Sequence, residues 1–306
     1  MKITDIDIIY ISYDEPNAEF NWAHLRNQAP WAKRIHGVKG SDNAHKAAAE
    51  LSTTEWFVTV DGDNIVDPRF FNIELNPIPE IQVYSWSGKN IINNLRYGNG
   101  GLKVWNKQFV LDMKTHEAAE SDKAQVDFCW EDGYKNFPTV FSTTVINSSP
   151  YQAWRAGFRE GVKMLLKDGL KISINKIDQE IYWHNIHRLK IWSCVGAHVE
   201  NGIYAMLGAR SGSYMTYCSE DWDYVQVRDF EYLETLYISE FKKYENNREM
   251  VLDKLESLAF DLRAEIGLNL ATFDPDQSKY IVDLYEETVA MGQTYYNKDP
   301  VWKNIS

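Results

Sequence analysis

Between residues 6 and 66 apolar runs alternate with helix-forming stretches, and that alternation restricts the fold more than any other feature of the chain. IDIIYISY (6–13) is β-branched and aromatic, and it stops at the turn-forming Asp14-Glu15-Pro16-Asn17. Asn17 or a neighbour can cap a helix around 18–29 whose register partly buries Phe20, Trp22 and Leu25, ahead of Pro30 and a short strand near 34–38. Gly40-Ser41-Asp42-Asn43 then caps a second helix, AHKAAAELS, and EWFVTVDGDNIV carries a third strand into acidic residues. Helices of that length between apolar strands require crossover connections. The expected class is therefore α/β, with a mostly parallel, Rossmann-like sheet covered by helices.

Further strands are expected at 81–86, 102–106 and 139–146, with YGNGG (97–101) as an irregular loop. From about residue 150 the pattern becomes helical. In YQAWRAGFREGVKMLLKDG, Ala153, Phe158, Val162, Leu165 and Leu166 fall on one side and Arg155, Arg159, Lys163 and Lys167 on the other, with Lys167-Asp168-Gly169 closing the helix. Helical pattern continues over 178–192, 197–209, 229–268 and 276–296, and no internal repeat or low-complexity linker appears. This reads as an α/β unit over 1–146 followed by a helical part over 147–306.

Apolar residues at 44% and charged residues at 25% exclude a disordered or collagen-like chain. No apolar run reaches the roughly 18 residues of a membrane span, and Asp5 and Asp7 interrupt the start where a signal peptide needs an apolar stretch. Cys129, Cys194 and Cys218 form no C-x-x-C, so neither a disulfide scaffold nor a zinc knuckle is expected, and a cytoplasmic setting fits. Net charge is −12, yet residues 147–219 hold 9 basic against 5 acidic groups. That basic middle reads either as a solvated helix face or as a surface for a polyanion.

Asp61-Gly62-Asp63 follows the strand Trp56–Val60 directly, at the end where parallel sheets place ligands. Residues i and i+2 of an extended segment point to one side, and two carboxylates there repel unless a cation lies between them. A Mg2+ or Mn2+ ion held with phosphate oxygens meets that requirement. The competing reading is that Asp-Gly only marks a hairpin turn. An EF-hand is excluded, since the loop counted from Asp61 has Val66 where Gly is needed and Asn72 where Glu is needed.

The strand ending in SYDEPN, the small-residue helix with Asn43, His45 and Lys46, and TVDGDN together resemble the nucleotide-binding half of a GT-A type nucleotide-sugar glycosyltransferase, over about residues 6–146. The resemblance implies a nucleotide-sugar-binding domain followed by a helical region that could bind the acceptor. It implies Ser12, Tyr13, Asp14 and Glu15 near base and ribose, Lys39, Asp42, Asn43 and Lys46 near nucleotide or phosphate, and Asp61 and Asp63 at ribose, sugar and metal. A late His198 is implied as a further metal ligand, and a UDP-sugar as the donor. More narrowly, ISYDEPNAEFNW, HGVKGSDNAHKAAAELS and SPYQAWRAGFREGVKM resemble bacteriophage DNA-modifying glycosyltransferases. That implies a DNA acceptor, 5-hydroxymethylcytosine with arabinose as the transferred sugar, in the cytoplasm of a bacterial host.

Inversion at the anomeric carbon needs a base, and Asp127, Glu131 and Asp132 in VDFCWEDGY are the candidates, against the alternative of a solvated acidic turn. A retaining enzyme needs no such base. The 97–101 loop can bring backbone amides to a phosphate, with Lys103 just beyond. Trp86, Trp105 and Trp130 could stack on a presented base, although core tryptophans are commoner. His184 and His187, three apart, can share a helical face. For a DNA acceptor, Arg155, Arg159, Lys163 and Lys167, with Arg188 and Lys190, are the cation supply. Rival readings are a polysaccharide or protein acceptor, or a non-catalytic assembly module whose acidic tail after residue 220 mediates association. No membrane partner is expected, and oligomeric state stays open.

Overall fold

The computed structural model describes residues 1–98, 101–113, 133–219 and 221–290. These divide into two units, the first holding Met1–Ile91 with described residues 96–113 and 133–145, the second holding Ile92–Leu95 with those from 146 onward.

In the first unit, β1 (Asp7–Ser12), α1 (Ala18–Gln28), β2 (Lys33–His36), α2 (Ser41–Leu51) and β3 (Trp56–Asp61) follow in the anticipated order. After them come β4 (Asn64–Val66), β5 (Val83–Asn90), β6 (Arg96–Tyr97), β7 (Leu102–Asn106), α3 (Lys107–Asp112) and β8 (Tyr134–Thr144). The sheet order is β2-β1-β3-β7-β5-β8-β4, with β6 on β5. Parallel ladders join β1 to β2 and β3, and β5 to β8, while β7 runs antiparallel between β3 and β5.

Strand alternation sorts the core into two layers. Ile8, Tyr10, Val58, Val60, Leu102 and Val104 face Leu25 of α1, whereas Ile9, Phe57, Val83 and Trp105 face Ala48 and Ala49 of α2 and Val110 of α3. The alanines let α2 lie close to the sheet. The α/β class thus holds, with helices on both faces.

Several boundaries differ from expectation for identifiable reasons. β8 starts at Tyr134 and runs through Pro138, because a register shift between Trp86 and Ser87 of β5 accommodates a residue that cannot donate to the ladder. Asn17 stands at the cap position of α1, but its side chain donates instead to the Val145 carbonyl (2.9 Å). Phe20, expected to be partly buried, is 68% exposed. Ser41, Asp42 and Asn43 form the first turn of α2, and Gly40, at φ +89°, is the residue ahead of it.

The second unit contains α4 (Pro150–Lys163), α5 (Ile177–Glu180), α6 (Trp183–Cys194), α7 (Gly202–Cys218), α8 (Phe230–Leu236), α9 (Arg248–Ile266) and α10 (Pro275–Ala290). α4 ends four residues before the expected Lys167, which instead begins a tight turn through Asp168 and Gly169, both at positive φ. α7 begins late, after Asn201 in the left-handed region, and runs on to Cys218. Gly157 and Gly161 of α4 meet the Ala205 and Ala209 carbonyls of α7, while Gly208 and Gly212 meet those of Trp154 and Phe158. The expected long helix over 229–268 is broken by a π turn at Tyr237–Phe241 and by Asn246 at φ +62°, after which Asn247 caps α9. Among the described residues no helix is long and apolar enough to cross a membrane.

Candidate nucleotide and metal site

Because β2, β1 and β3 are parallel neighbours, the segments leaving their carboxyl ends share one edge of the sheet. Residues 13–17, 37–40 and 62–63 therefore stand together, although they are distant in sequence. The Gly37 amide donates to the Ser12 carbonyl (3.0 Å), which ties the second segment to the first.

Gly62 joins the first segment to the third. The Tyr10 hydroxyl, fully buried, lies 2.6 Å from the Gly62 carbonyl and 2.9 Å from that of Ala18, and Asn21 Nδ2 donates to the same Gly62 oxygen (3.0 Å). A methyl group on Gly62 would stand 2.7 Å from Glu15 Oε2, so the absence of a side chain lets the Glu15 carboxylate lie on the backbone between the two aspartates. Glu15 is held there by the Tyr13 amide, which donates to Oε2 (2.8 Å). The Tyr10 phenol is pushed well above its ordinary range by burial first and by the Glu15 carboxylate second, with Asp63 and Glu19 adding to the effect.

Asp61 is the last residue of β3, its amide donating to the Gly101 carbonyl (2.7 Å). By alternation its side chain shares the α2 face with Thr59. Asp63 lies beyond the Gly62 turn. Asn64 Nδ2 donates to Asp63 Oδ1 (2.6 Å), the Asp63 carbonyl accepts from the Val145 amide (2.7 Å), and Thr144 Oγ1 lies 3.3 Å from Asn64 Oδ1. Both carboxylates are half-buried. Among the described residues no three His, Cys, Asp or Glu side chains gather closely enough to hold a metal ion. The donors present are carboxylate oxygens, a set that suits Mg2+ or Mn2+, ions that take one or two carboxylates and complete their shell with water and phosphate oxygens. Asp63, with Asp61 beside it, would hold such an ion.

Ser12 is buried at the end of β1, Tyr13 and Asp14 are exposed, and Lys39, Asp42, Asn43 and Lys46 follow β2 along the loop and first turns of α2, with Asn43 Nδ2 donating to the Lys39 carbonyl (3.2 Å). Two residues that sequence reasoning missed complete this edge. Arg34 Nε donates to Ser12 Oγ (3.0 Å), its Nη1 pairs with Glu19 (2.7 Å), and its Nη2 lies 3.1 Å from His36 Nδ1. A guanidinium only donates, so Nδ1 is the acceptor in this contact. Arg34 also lies over the Tyr10 and Trp22 rings, at 5.6 and 5.9 Å. The available signal was the polar run KRIH ending a short strand.

Other candidates fall elsewhere. Asp127, Glu131 and Asp132, with Trp130, lie outside the described residues. Lys103, expected to approach a phosphate, is only 3% exposed on β7 and faces the core. Trp86 and Trp105 are buried in the two core layers and are not open to a base. His198 is exposed in the second unit, at a groove of about 390 Å3 lined also by Glu200, Tyr204, Asn246 and Arg248. His184 stacks on Tyr182 and both His184 and His187 abut Trp183, so aromatic packing occupies them. The basic row along α4 and the turn after it is not a solvated face. Arg155 lies over the Tyr151 and Phe230 rings (5.3 and 4.8 Å), Arg159 over Phe230 (4.9 Å), Lys163 pairs with Glu160 (2.6 Å), and Lys167 lies over Tyr182 (3.4 Å) with Asp168 at 3.5 Å.

No family model and no curated protein matches the chain. Among solved structures it is similar to a glycosyltransferase involved in glycosylation of the major capsid of PBCV-1 (13% identity, TM-score 0.29, 46% of this chain and 94% of that one). It is also similar to the mannosyltransferase PcManGT from Pyrobaculum calidifontis in complex with GDP-Man and Mn2+ (14%, 0.34, 84% and 86%). A third similar structure is HddC from Yersinia pseudotuberculosis (11%, 0.31, 44% and 90%).

Proposed function

We propose that the chain is a metal-dependent glycosyltransferase that binds a nucleotide sugar at the shared edge of β2, β1 and β3. The observation that carries this is the junction at Gly62, where Glu15 lies on bare backbone between Asp61 and Asp63 while Ser12, Arg34 and His36 line the neighbouring segment. Such an edge offers polar groups to a base and ribose, and carboxylates to a cation-bound diphosphate. The Mg2+ or Mn2+ ion would neutralise the leaving diphosphate. Transfer breaks the anomeric carbon–oxygen bond to that diphosphate and forms one to an acceptor oxygen. The hydroxyl proton leaves to a carboxylate in an inverting reaction or to the diphosphate in a retaining one.

The finer reading is a UDP-sugar donor, arabinose as the sugar, and 5-hydroxymethylcytosine in phage DNA as the acceptor. The phrase-level resemblance supports it; the engaged cations of α4 do not.

Asp63→Ala tests the site: metal-dependent binding of a nucleoside diphosphate, followed by calorimetry, and transfer should both be lost while the thermal melt stays in place. Retained binding places the site elsewhere. Mass analysis of hydroxymethylated DNA after incubation with a panel of sugar nucleotides tests the acceptor, and an unchanged mass with every donor removes it.

A further inference from the structure

The second unit holds an open groove of about 390 Å3 to which neither the donor edge nor the proposed reaction gives a ligand. Its walls are the connection from α6 into α7, residues 197–204, and the segment at 246–248 that leads into α9. Both walls are fixed from within. Asn201 and Asn246 stand in the left-handed region (φ +54° and +62°), which asparagine tolerates. Asn201 Nδ2 donates to the Asn147 carbonyl (2.8 Å), and Asn147 Nδ2 donates back to the Glu200 carbonyl (3.1 Å). The Asn246 amide donates to the Tyr204 hydroxyl (3.2 Å), which lies 3.4 Å from the Tyr244 carbonyl, and Arg248 Nη2 donates to the Ala197 carbonyl (3.1 Å). Tyr204 and Arg248 thus tie one wall to the other.

Three residues of these walls carry uncommitted polar groups. The His198 ring and the Glu200 carboxylate make no hydrogen bond, ion pair or ring contact with any described residue, and the Arg248 guanidinium has the Ala197 carbonyl as its one partner among them. All three residues are exposed. The cations of α4 in the same unit, by contrast, lie on rings or pair with acids. Ala197, Val199, Ile203 and Tyr204 add apolar surface to the groove. Small-molecule sites of roughly 300–1,000 Å3 have this make-up, a few polar groups set on an apolar lining, and this groove falls at the lower end of that range.

The charges select the ligand class. Arg248 attracts an anion, but the Glu200 carboxylate of the same groove repels one. A neutral, hydroxyl-rich ligand satisfies both, because a hydroxyl donates as well as accepts, whereas a guanidinium only donates and a carboxylate only accepts. We infer that this groove is a saccharide site of monosaccharide or disaccharide size, in which Glu200 accepts from the sugar hydroxyls, Arg248 donates to them, and His198 supplies a further ring nitrogen. The carbon–hydrogen face of the sugar then packs on the apolar wall. Walls already held by their own hydrogen bonds lose little freedom when the ligand enters. The inference goes beyond the donor-site reading and does not rest on it.

Saturation-transfer NMR on the whole chain tests it, with glucose, mannose, galactose, arabinose, maltose and lactose as probes at millimolar concentration. Mn2+ and nucleotide are left out, so the result is independent of the donor edge. At least one saccharide should receive saturation. Glu200→Gln and His198→Ala should each weaken its binding about 10-fold or more, as loss of a hydrogen bond to a charged or ring group does. Neither side chain contacts a described residue, so the urea midpoint of both variants should match the unaltered protein. Glu249→Gln, one residue beyond the groove, should bind as the unaltered protein does. Inorganic phosphate added as a competitor should not displace the sugar. No saturation of any probe overturns the inference, and so does wild-type affinity in both Glu200→Gln and His198→Ala, which places sugar binding elsewhere. Displacement by phosphate makes the groove an anion site and overturns the ligand class. A binding loss accompanied by an equal shift of the urea midpoint in both variants overturns the direct role of the two side chains.

Discussion

Gly101→Ala should disable the site without touching a carboxylate. A methyl group at residue 101 would lie 2.5 Å from Asp61 Cβ and 2.7 Å from Asp61 Cγ, and would also overlap Asn64 Nδ2. Carbon atoms in contact sit about 3.5–4.0 Å apart, so Asp61 has to give way by roughly 1 Å. Its backbone cannot do so readily, because β3 is laddered to β1 on one side and β7 on the other, with the Asp61 amide fixed to residue 101 itself. The side chain must therefore swing, and displacement of Asn64 breaks the hydrogen bond that its Nδ2 donates to Asp63 Oδ1 (2.6 Å). Overpacking of this kind costs about 1–3 kcal/mol of stability, and a misplacement of about 1 Å costs on the order of 100-fold in function. Calorimetric titration of Mn2+ with a nucleoside diphosphate, beside a urea melt, separates the two effects. Gly267→Ala is the control. It sits at φ +69° with nothing within 4 Å, so it should lose about 1 kcal/mol of stability and leave binding intact. A Gly101→Ala protein that binds at wild-type affinity would refute the reasoning.

Gly208→Ala on α7 should destabilise the second unit by about 3 kcal/mol or less, net of the roughly 1 kcal/mol gained in helix propensity. Its methyl would press on α4 backbone, 2.7 Å from the Phe158 nitrogen and 3.0 Å from the Trp154 carbonyl carbon, and an unchanged urea midpoint would contradict that packing. Acid should weaken the same unit through His184, which burial and the nearby Arg188 lower from 6.5 to about 4. The unfolded chain then binds more protons between those values, so this contribution is full above 6.5 and is lost as pH falls toward 4. His184→Gln should flatten that part of the urea-midpoint profile, and identical profiles would count against it.

Legibility in the sequence followed the locality of the signal. β1, α1, β2, α2 and β3 were readable because each carries its own periodicity and Pro or Gly punctuation, and their order already implied parallel strands covered on both faces. β8 was cut short at Pro138 because the rule against proline in a ladder is local, whereas the bulge that admits it belongs to the pairing with β5. The site shows the same division. Asp61 and Asp63 announce themselves at the end of a strand, but Arg34 and His36 acquire meaning only once β2 lies beside β1. Lys103 read as a cation just beyond a glycine loop that can approach a phosphate, and only the β3–β7 register reveals it as buried.

The excess of basic residues over 147–219 bears on the acceptor, and its placement argues against a phosphate-tracking stripe. Arg155 and Arg159 lie on aromatic rings, Lys163, Lys167 and Lys176 pair with acids of their own or adjoining turns, Arg188 donates to the Tyr285 hydroxyl (2.7 Å), and Arg210 is buried with its guanidinium on the carbonyls of Ser193, Leu255 and Ala271. A cation already engaged in this way must break that contact before it can neutralise a phosphate, so it adds little to counterion release. Each phosphate neutralised contributes about −0.9 to the slope of log affinity against log salt. Binding of duplex DNA, followed by gel shift across a salt series, should therefore show a slope shallower than about −2. Replacing Arg155 and Arg159 together with alanine should lower the melting temperature through lost cation–π packing and leave that slope unchanged. A steep slope that falls by about 2 in the double variant would mean that these arginines leave Phe230 for the acceptor, and the DNA reading would then gain the surface that the packing denies it.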